Sequence, residues 1–316
     1  MVSFTTANRH GYSVRYSPFD PDILVVASSQ YYGLCGAGTL HLLELAEDDL
    51  HEIGQVQWND GLFDVVWSPN TEDVVATSSG DGSLQLWNFR SLETGSPTAY
   101  IPAHSAEIYS VDWGNSLSGS KLLTGSWDRT IKTWDPTYLK LISSFSAHSD
   151  VVFTANYSNS ISNVFSSVGA DGSLIIWDAS SSKPLQKVAA HDGEALTCTW
   201  NQFNSNVLAT GGSDGLIRGW DLRNLTRNVF ELYGCEFAVR RIRFSPHFES
   251  VLVSAGYDFC TRIWDYQVQF EPLESFTQHS EFVYGVDWNP SKSGQVADCG
   301  WDSLVNVFTP KCLENV

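Results

Sequence analysis

Positive charge is scarce in this chain. Eighteen Lys and Arg stand against 36 Asp and Glu, for a net charge of −18 and a sequence pI near 4.6. Such a surface repels phosphate backbones and anionic lipids on average, which argues against nucleic acid as a partner. Long apolar runs are missing too. No stretch reaches the roughly 18 uninterrupted apolar residues that a membrane helix needs, so no direct membrane insertion is expected. The segment from Met1 to Tyr12 has no apolar centre of the kind a secretion signal carries, and the expectation is a soluble intracellular protein. The six cysteines, at 35, 198, 235, 260, 299 and 312, form no C-x-x-C pair, so reduced thiols are expected and no metal centre. Sustained helical periodicity is absent as well.

What the chain has instead is one pattern written repeatedly. The string Asp-x-[Ser/Thr/Leu]-[Leu/Ile]-x-x-Trp runs from Asp81 to Trp87, Asp128 to Trp134, Asp171 to Trp177 and Asp214 to Trp220. Looser copies run from Asp258 to Trp264 and from Asp302 to Phe308, and a degenerate one from Ala37 to Leu43. Successive anchors are 43 to 47 residues apart along the whole sequence. A second landmark keeps step with the first: an aromatic residue closes an alternating run at Tyr16, Trp67, Trp113, Tyr157, Trp200, Phe244 and Trp288. These runs are rich in β-branched and aromatic residues and read as strands. Each period has room for about four of them. A period of this length built from four short strands is the signature of a β-propeller blade, and seven periods predict an all-β, seven-bladed propeller over residues 1–316, one domain without a linker.

Several periods also carry a His 23 or 24 residues before the Asp and a small hydroxylic residue between them, as in His104 and Asp128, His148 and Asp171, His191 and Asp214, and His279 and Asp302. A carboxylate buried in a tight turn requires a donor, and a His from the loop entering the blade can supply it. The pair recurs without a matched nucleophile, metal set or phosphate loop. It therefore reads as structural: no enzyme activity and no cofactor is expected. Trp58 and Cys235 replace the His in the second and sixth blades, and Ala37 and Leu43 replace Asp and Trp in the first. Ordinary packing is expected to hold those three. The last blade lacks a fourth strand, which residues 2–6 are expected to supply, closing the ring and covering a sheet edge.

Loop entries and Asp turns fall on the same face of such a ring. Just past the His position stand Asp60, Glu107, Asp150, Glu194 and Glu281, with Phe237 breaking the series. Immediately before the Asp stand Trp127, Tyr257 and Trp301, against the small Gly80, Ala170 and Ser213 of other blades. Carboxylates beside aromatic rings describe a surface that can hold a peptide or helix with a basic end and an apolar stripe. The basic run at Arg240, Arg241 and Arg243 alternates along a strand and is expected to pair with nearby acids, Asp64 among them, not with nucleic acid. Ser-rich stretches at 116–120 and 180–182 read as turns.

The repeat looks like the WD repeat. More selective are the segments Arg9-His-Gly-Tyr-Ser-Val-Arg-Tyr-Ser-Pro18, Trp58-Asn-Asp-Gly-Leu-Phe-Asp-Val-Val-Trp67, Gly80-Asp-Gly-Ser-Leu-Gln-Leu-Trp87, Arg218-Gly-Trp-Asp-Leu-Arg-Asn224, Ala238-Val-Arg-Arg-Ile-Arg-Phe-Ser-Pro246 and Ala297-Asp-Cys-Gly-Trp-Asp302, together with Gln30-Tyr-Tyr-Gly-Leu-Cys-Gly36 in the first blade. Together they resemble the WD-repeat peroxisomal import receptors for the type-2 targeting signal, from about residue 8 to residue 312. The resemblance implies a cytoplasmic cargo receptor that shuttles to the peroxisome matrix. It would bind the N-terminal signal Arg-[Leu/Val/Ile]-x5-[His/Gln]-[Leu/Ala] of matrix enzymes and engage the peroxisomal docking complex. It also implies a co-receptor peroxin: a long form of the type-1 signal receptor in animals and plants, or a fungal equivalent. Signal positions one, two, eight and nine recur after two helical turns, roughly 10.5 Å along the axis, and so share one face. The alternative is a substrate adaptor of a cullin-RING ubiquitin ligase, suggested by the W-D-x-R box from Trp220 to Arg223, or a generic WD scaffold.

Overall fold

The computed structural model describes residues 1–47, 49–90, 95–116 and 119–313. Seven four-stranded antiparallel sheets follow one another along the chain. Their inner strands are His10–Tyr16, Leu62–Trp67, Ile108–Ser116, Val152–Tyr157, Ala195–Trp200, Val239–Phe244 and Val283–Trp288, which define blades one to seven. The aromatic landmark of the repeat ends or nearly ends each of them. No α-helix occurs among the described residues; helical structure is limited to single 3-10 turns such as Tyr31–Gly33 and Lys311–Leu313. Of the two Ser-rich stretches, 180–182 is a turn, and 116–120 joins two strands of blade three through residues 117–118, which lie outside the described set.

Apolar residues of neighbouring sheets pack into clusters between blades. One joins Val25, Leu40 and Leu62 to Trp87, for example, and another joins Leu174 and Ile176 to Trp200 and Trp220. Indoles latch blades together as well. Trp67 Nε1 donates to the Arg15 carbonyl (3.2 Å), Trp200 to that of Asn156 (3.1 Å) and Trp288 to that of Arg243 (3.1 Å).

Closure follows the expected route. Val2–Thr5 adds to Leu304–Phe308 as the outer strand of blade seven, with Val2 opposite Val307 and Phe4 opposite Val305. Ser3 Oγ donates to Asn306 Oδ1 at 2.7 Å, and Val2 and Phe4 pack on the cluster shared by blades seven and one.

The His and Asp residues of the repeat are structural, as expected. In blade three, His104 Nδ1 lies 2.8 Å from Asp128 and its Nε2 2.7 Å from Thr124 Oγ1, which also accepts from Trp134 Nε1 at 3.0 Å. The same chain of contacts joins His148, Asp171, Ser167 and Trp177, and likewise His191, Asp214, Thr210 and Trp220. Burial alone would raise these carboxyls, but the facing imidazoles and turn N–H groups outweigh it. Asp128 and Asp171 sit well below the usual range and Asp214 is brought down to about 2. Blade seven uses a variant. There Asp298 stands in the hydroxyl position, so His279 lies between two carboxylates at 2.9 Å each. Burial disfavours its charge, but Asp298 and Asp302 together lift it to about 10.

Two departures from the repeat are not left to packing alone, contrary to the sequence expectation. Trp58 replaces the missing His with its indole, whose Nε1 donates to Asp81 Oδ2 at 2.9 Å. In blade six Asp258 turns instead to Arg262, four residues on, at 2.7 Å. A turn carboxylate needs a donor, and an indole or guanidinium serves as well as an imidazole. Blade one, which lacks the Asp, does rely on packing, with Leu43 fully buried.

Candidate functional site

Each inner strand carries a one-residue bulge near its start, where the ladder skips a residue. The skipped residues are Tyr12, Phe63, Tyr109, Phe153, Leu196, Arg240 and Tyr284. A bulged side chain is re-aimed out of the sheet plane, and here the aromatic ones meet. Ring centroids lie 4.9 Å apart for Tyr12 and Phe63, 4.8 Å for Phe63 and Tyr109, and 4.8 Å for Tyr12 and Tyr284. The Arg240 guanidinium joins them, 4.8 Å from the Tyr284 ring and 5.7 Å from that of Tyr109. This layer forms the floor of one face of the ring.

In blades two to seven the loop entering the blade is tied to its Asp turn above that floor. Gly80 N–H donates to the Gly61 carbonyl, Trp127 to Glu107, Ala170 to Val151, Ser213 to Glu194, Tyr257 to Ala238 and Trp301 to Phe282. The acids and aromatics singled out in the sequence therefore share this face. Asp60, Glu107 and Glu281 are half-buried, and Asp150 and Glu194 exposed. None of the five takes part in an ion pair among the described residues. Asp60 is raised above the ordinary carboxyl value by burial and then by the neighbouring charges of Asp81 and Glu107, against the pull of the Gly61 N–H. Gly80 leaves the room for it: a Cβ there would stand 3.0 Å from Asp60 Oδ1. Blades two and three thus present a crowded acidic corner in which, among the described residues, neither Asp60 nor Glu107 has a cation as partner.

The three predicted aromatics divide. Trp127 is 37% exposed and stacks on Tyr109 at 5.0 Å, beside the acidic corner. Tyr257 and Trp301 are half-buried members of a larger cluster. Trp301 stacks on Tyr284 at 4.7 Å and also meets Tyr12, Tyr32 and Phe282, while Tyr257 stacks on Phe282 and bonds the Tyr284 hydroxyl at 2.9 Å.

Sequence reasoning missed the apolar residues that extend this cluster. Tyr31, Tyr32 and Gly33 all have positive φ, a left-handed run that L side chains adopt only under constraint. The Tyr12 hydroxyl pins it by donating to the Tyr32 carbonyl at 2.8 Å. The run leaves Tyr31 64% and Leu34 87% exposed. In blade six Phe237 and Phe259 are exposed by 59% and 39%. An apolar arc thus spans blades six, seven and one and runs up to the acidic corner of blades two and three, where the Gly33 turn and Gly80 both abut Phe63. Two signals in the sequence marked it: Phe237 interrupting the carboxylate series, and the degenerate first repeat with its segment from Gln30 to Gly36.

The other motifs lie elsewhere. Arg240, Arg241 and Arg243 are buried; Arg241 pairs with Asp64 across the channel at 3.3 Å, the partner expected from sequence, whereas Arg240, contrary to expectation, pairs with no acid among the described residues and stays against the Tyr109 and Tyr284 rings of the floor. In the W-D-x-R box, Trp220 is buried in its hydrogen-bonded chain and Arg223 folds back in a fork onto Asp221.

Comparison with known proteins now decides the family. The family described as "WD domain, G-beta repeat" matches residues 52–88, 95–135, 139–178, 182–221, 226–265 and 270–309. The chain is 50% identical over 305 residues to the "Peroxisomal targeting signal 2 receptor" of Mus musculus, covering 96% of this chain and 95% of that protein. It is 47% identical over 308 residues to the Homo sapiens protein of the same name, covering 98% and 95%. The chain belongs to the family of WD-repeat peroxisomal targeting signal 2 receptors. A plant member, "Peroxisome biogenesis protein 7" of Arabidopsis thaliana, is 39% identical over 301 residues, 95% of each chain. The repeat match begins at residue 52, so the degenerate first blade with its left-handed turn lies outside it.

Proposed function

We propose that this protein is a cargo receptor whose Asp60 and Trp301 face binds the N-terminal type-2 targeting signal of peroxisomal matrix enzymes. It carries them from the cytoplasm to the peroxisome and engages a co-receptor peroxin and the docking complex. One observation carries the reading: carboxylates without ion-pair partners among the described residues lie beside a partly exposed aromatic arc on a single face. A short helix with an Arg at one end and leucines along one side complements both halves. Its guanidinium enters among Asp60, Asp81 and Glu107, and its apolar stripe lies over Tyr257, Phe282, Trp301 and Tyr32. A half-exposed charge pair contributes only about 1 kcal/mol, whereas each buried Leu contributes roughly 2 kcal/mol. Affinity therefore resides mainly in the aromatic arc and selectivity in the acidic corner. A second protein covering the exposed side of the helix adds the remaining burial.

The test is pull-down of a signal-bearing peptide by a receptor with Asp60→Asn and Glu107→Gln together. Capture falls by about 10- to 30-fold, two pairs at about 1 kcal/mol each. The melting temperature does not fall, because ionised Asp60 is already disfavoured in the folded protein. Undiminished capture by the double variant overturns the reading.

A further inference from the structure

The channel opens at its other end on a second constellation. Residues from all seven blades enclose a cavity of about 340 Å³ there, at the ends of the inner strands remote from the acidic corner. Three adjacent blades supply its charged wall. Asp287 of blade seven stands between Arg15 of blade one (3.5 Å) and Arg243 of blade six (3.9 Å), both too long for a hydrogen bond. The other Asp287 oxygen accepts the Tyr16 N–H at 3.1 Å. Arg15 donates from Nε to the Val65 carbonyl at 3.3 Å, and Arg243 has no hydrogen-bond acceptor among the described residues. The same cavity is lined by Tyr16, Asn156 and Tyr157, with the two tyrosine hydroxyls and Asn156 Oδ1 buried behind its wall. The remaining carboxylate, Asp112, lies in blade three and accepts the Tyr157 N–H at 2.7 Å.

We infer that the lower mouth of the channel is a binding site for a compact oxyanion, held between the guanidinium groups of Arg15 and Arg243. On that wall two guanidinium groups share one carboxylate at distances too long for a hydrogen bond, and charged N–H donors are turned toward a polar cavity. An oxyanion accepts several such bonds at once. Asp112 on the far side excludes a bulky polyanion and limits the ligand to a small one. Burial and the nearby Arg15 and Arg241 bring Arg243 down to about 9, against the pull of Asp287 and Asp64. The negative exterior does not forbid entry, since its field is screened over about 8 Å at physiological salt. This site lies at the opposite end from the proposed signal-binding face and is independent of it.

The test is thermal unfolding of the full chain in sodium phosphate, with sodium chloride at equal ionic strength as the reference and sodium acetate as a second arm. Phosphate raises the melting temperature saturably beyond chloride, because a ligand bound only by the folded state stabilises it. Asp287→Asn removes the competing carboxylate and lowers the half-saturating concentration by about fivefold, whereas Arg243→Gln raises it by about 10- to 100-fold. Saturation by acetate as well identifies a carboxylate as an equal occupant; saturation by phosphate alone restricts the site to tetrahedral anions. A phosphate effect no larger than that of chloride, or an Asp287→Asn variant that binds no tighter, overturns the inference. The second criterion stands even if Arg243→Gln does not fold.

Discussion

Asp64 concentrates more of the ring's cohesion than any other carboxylate described. It lies on the inner strand of blade two, yet accepts the Ser13 hydroxyl of blade one (2.6 Å), the Val111 N–H of blade three (3.2 Å) and the Arg241 guanidinium of blade six (3.3 Å). Asp64→Asn keeps the shape and removes the charge. Arg241, 2% exposed, would then stay buried with Arg15 and Arg243 nearby and no counter-ion. Removing one partner of a buried pair costs about 3–5 kcal/mol. With an unfolding entropy of roughly 2.1 cal/mol/K per residue, a chain of 316 residues loses about 4–8 °C of melting temperature. Scanning calorimetry at neutral pH measures this directly. A companion variant, Asp64→Leu with Arg241→Met, removes both charges and recovers most of the loss, since apolar side chains of similar size replace a buried pair at little cost. The pH dependence has a definite sign. Burial pushes the Asp64 carboxyl up, but Arg241, Arg15, Ser13 and Arg243 together hold it below the usual range. Its contribution is therefore complete above about pH 4 and is lost as pH falls through the lower folded value. The acid limb of the stability curve should be flatter in the Asn variant. A melting shift under about 1.5 °C, or a double variant no better than the single one, would refute the reasoning.

Deleting residues 1–6 removes the outer strand of blade seven and its bonds to Asn306 and Ser303; the melting temperature should drop, and an unchanged curve would show that the ring closes without that strand. His279 gives a second pH signature of opposite sign. Its folded value near 10 lies above the unfolded value of about 6.5, so its stabilisation is complete below about 6.5 and is lost as pH rises through about 10. His279→Gln should flatten the alkaline limb over that window; a wild-type slope in the variant would refute the assignment.

The architecture was legible because its causes are local and repeated. An Asp turn, an alternating strand and a buried Trp each recur at a fixed spacing, so blade number, strand count and N-terminal closure could be read before any coordinates. The chemistry that replaces a missing element was not. Trp58 and Arg262 satisfy their carboxylates through side chains that the repeat does not specify, and a pattern search registers only the lost His. On the candidate face, Asp60, Glu107 and Trp127 were found from their positions in the repeat. Tyr31, Leu34 and Phe259 were missed because their exposure depends on positive φ or on turn geometry, which periodicity does not encode. Arg241 shows the opposite case. Its partner Asp64 is 177 residues away, yet the pairing was anticipated because an unmatched charge inside a strand needs an acid nearby.

The seam between Val2–Thr5 and Leu304–Phe308 also sets an order of events during biosynthesis. Val2–Thr5 is translated long before its partner strand Leu304–Phe308, so the nascent chain remains an open fan while each later blade is added. At about 5–20 residues per second, the stretch from Val2 to Phe308 takes roughly 15–60 s to synthesise. Throughout that interval the N-terminal strand is a loose ribbon and the growing stack presents an unmatched apolar flank. Shielding by chaperones during translation, rather than rapid folding afterwards, is the protection this topology calls for.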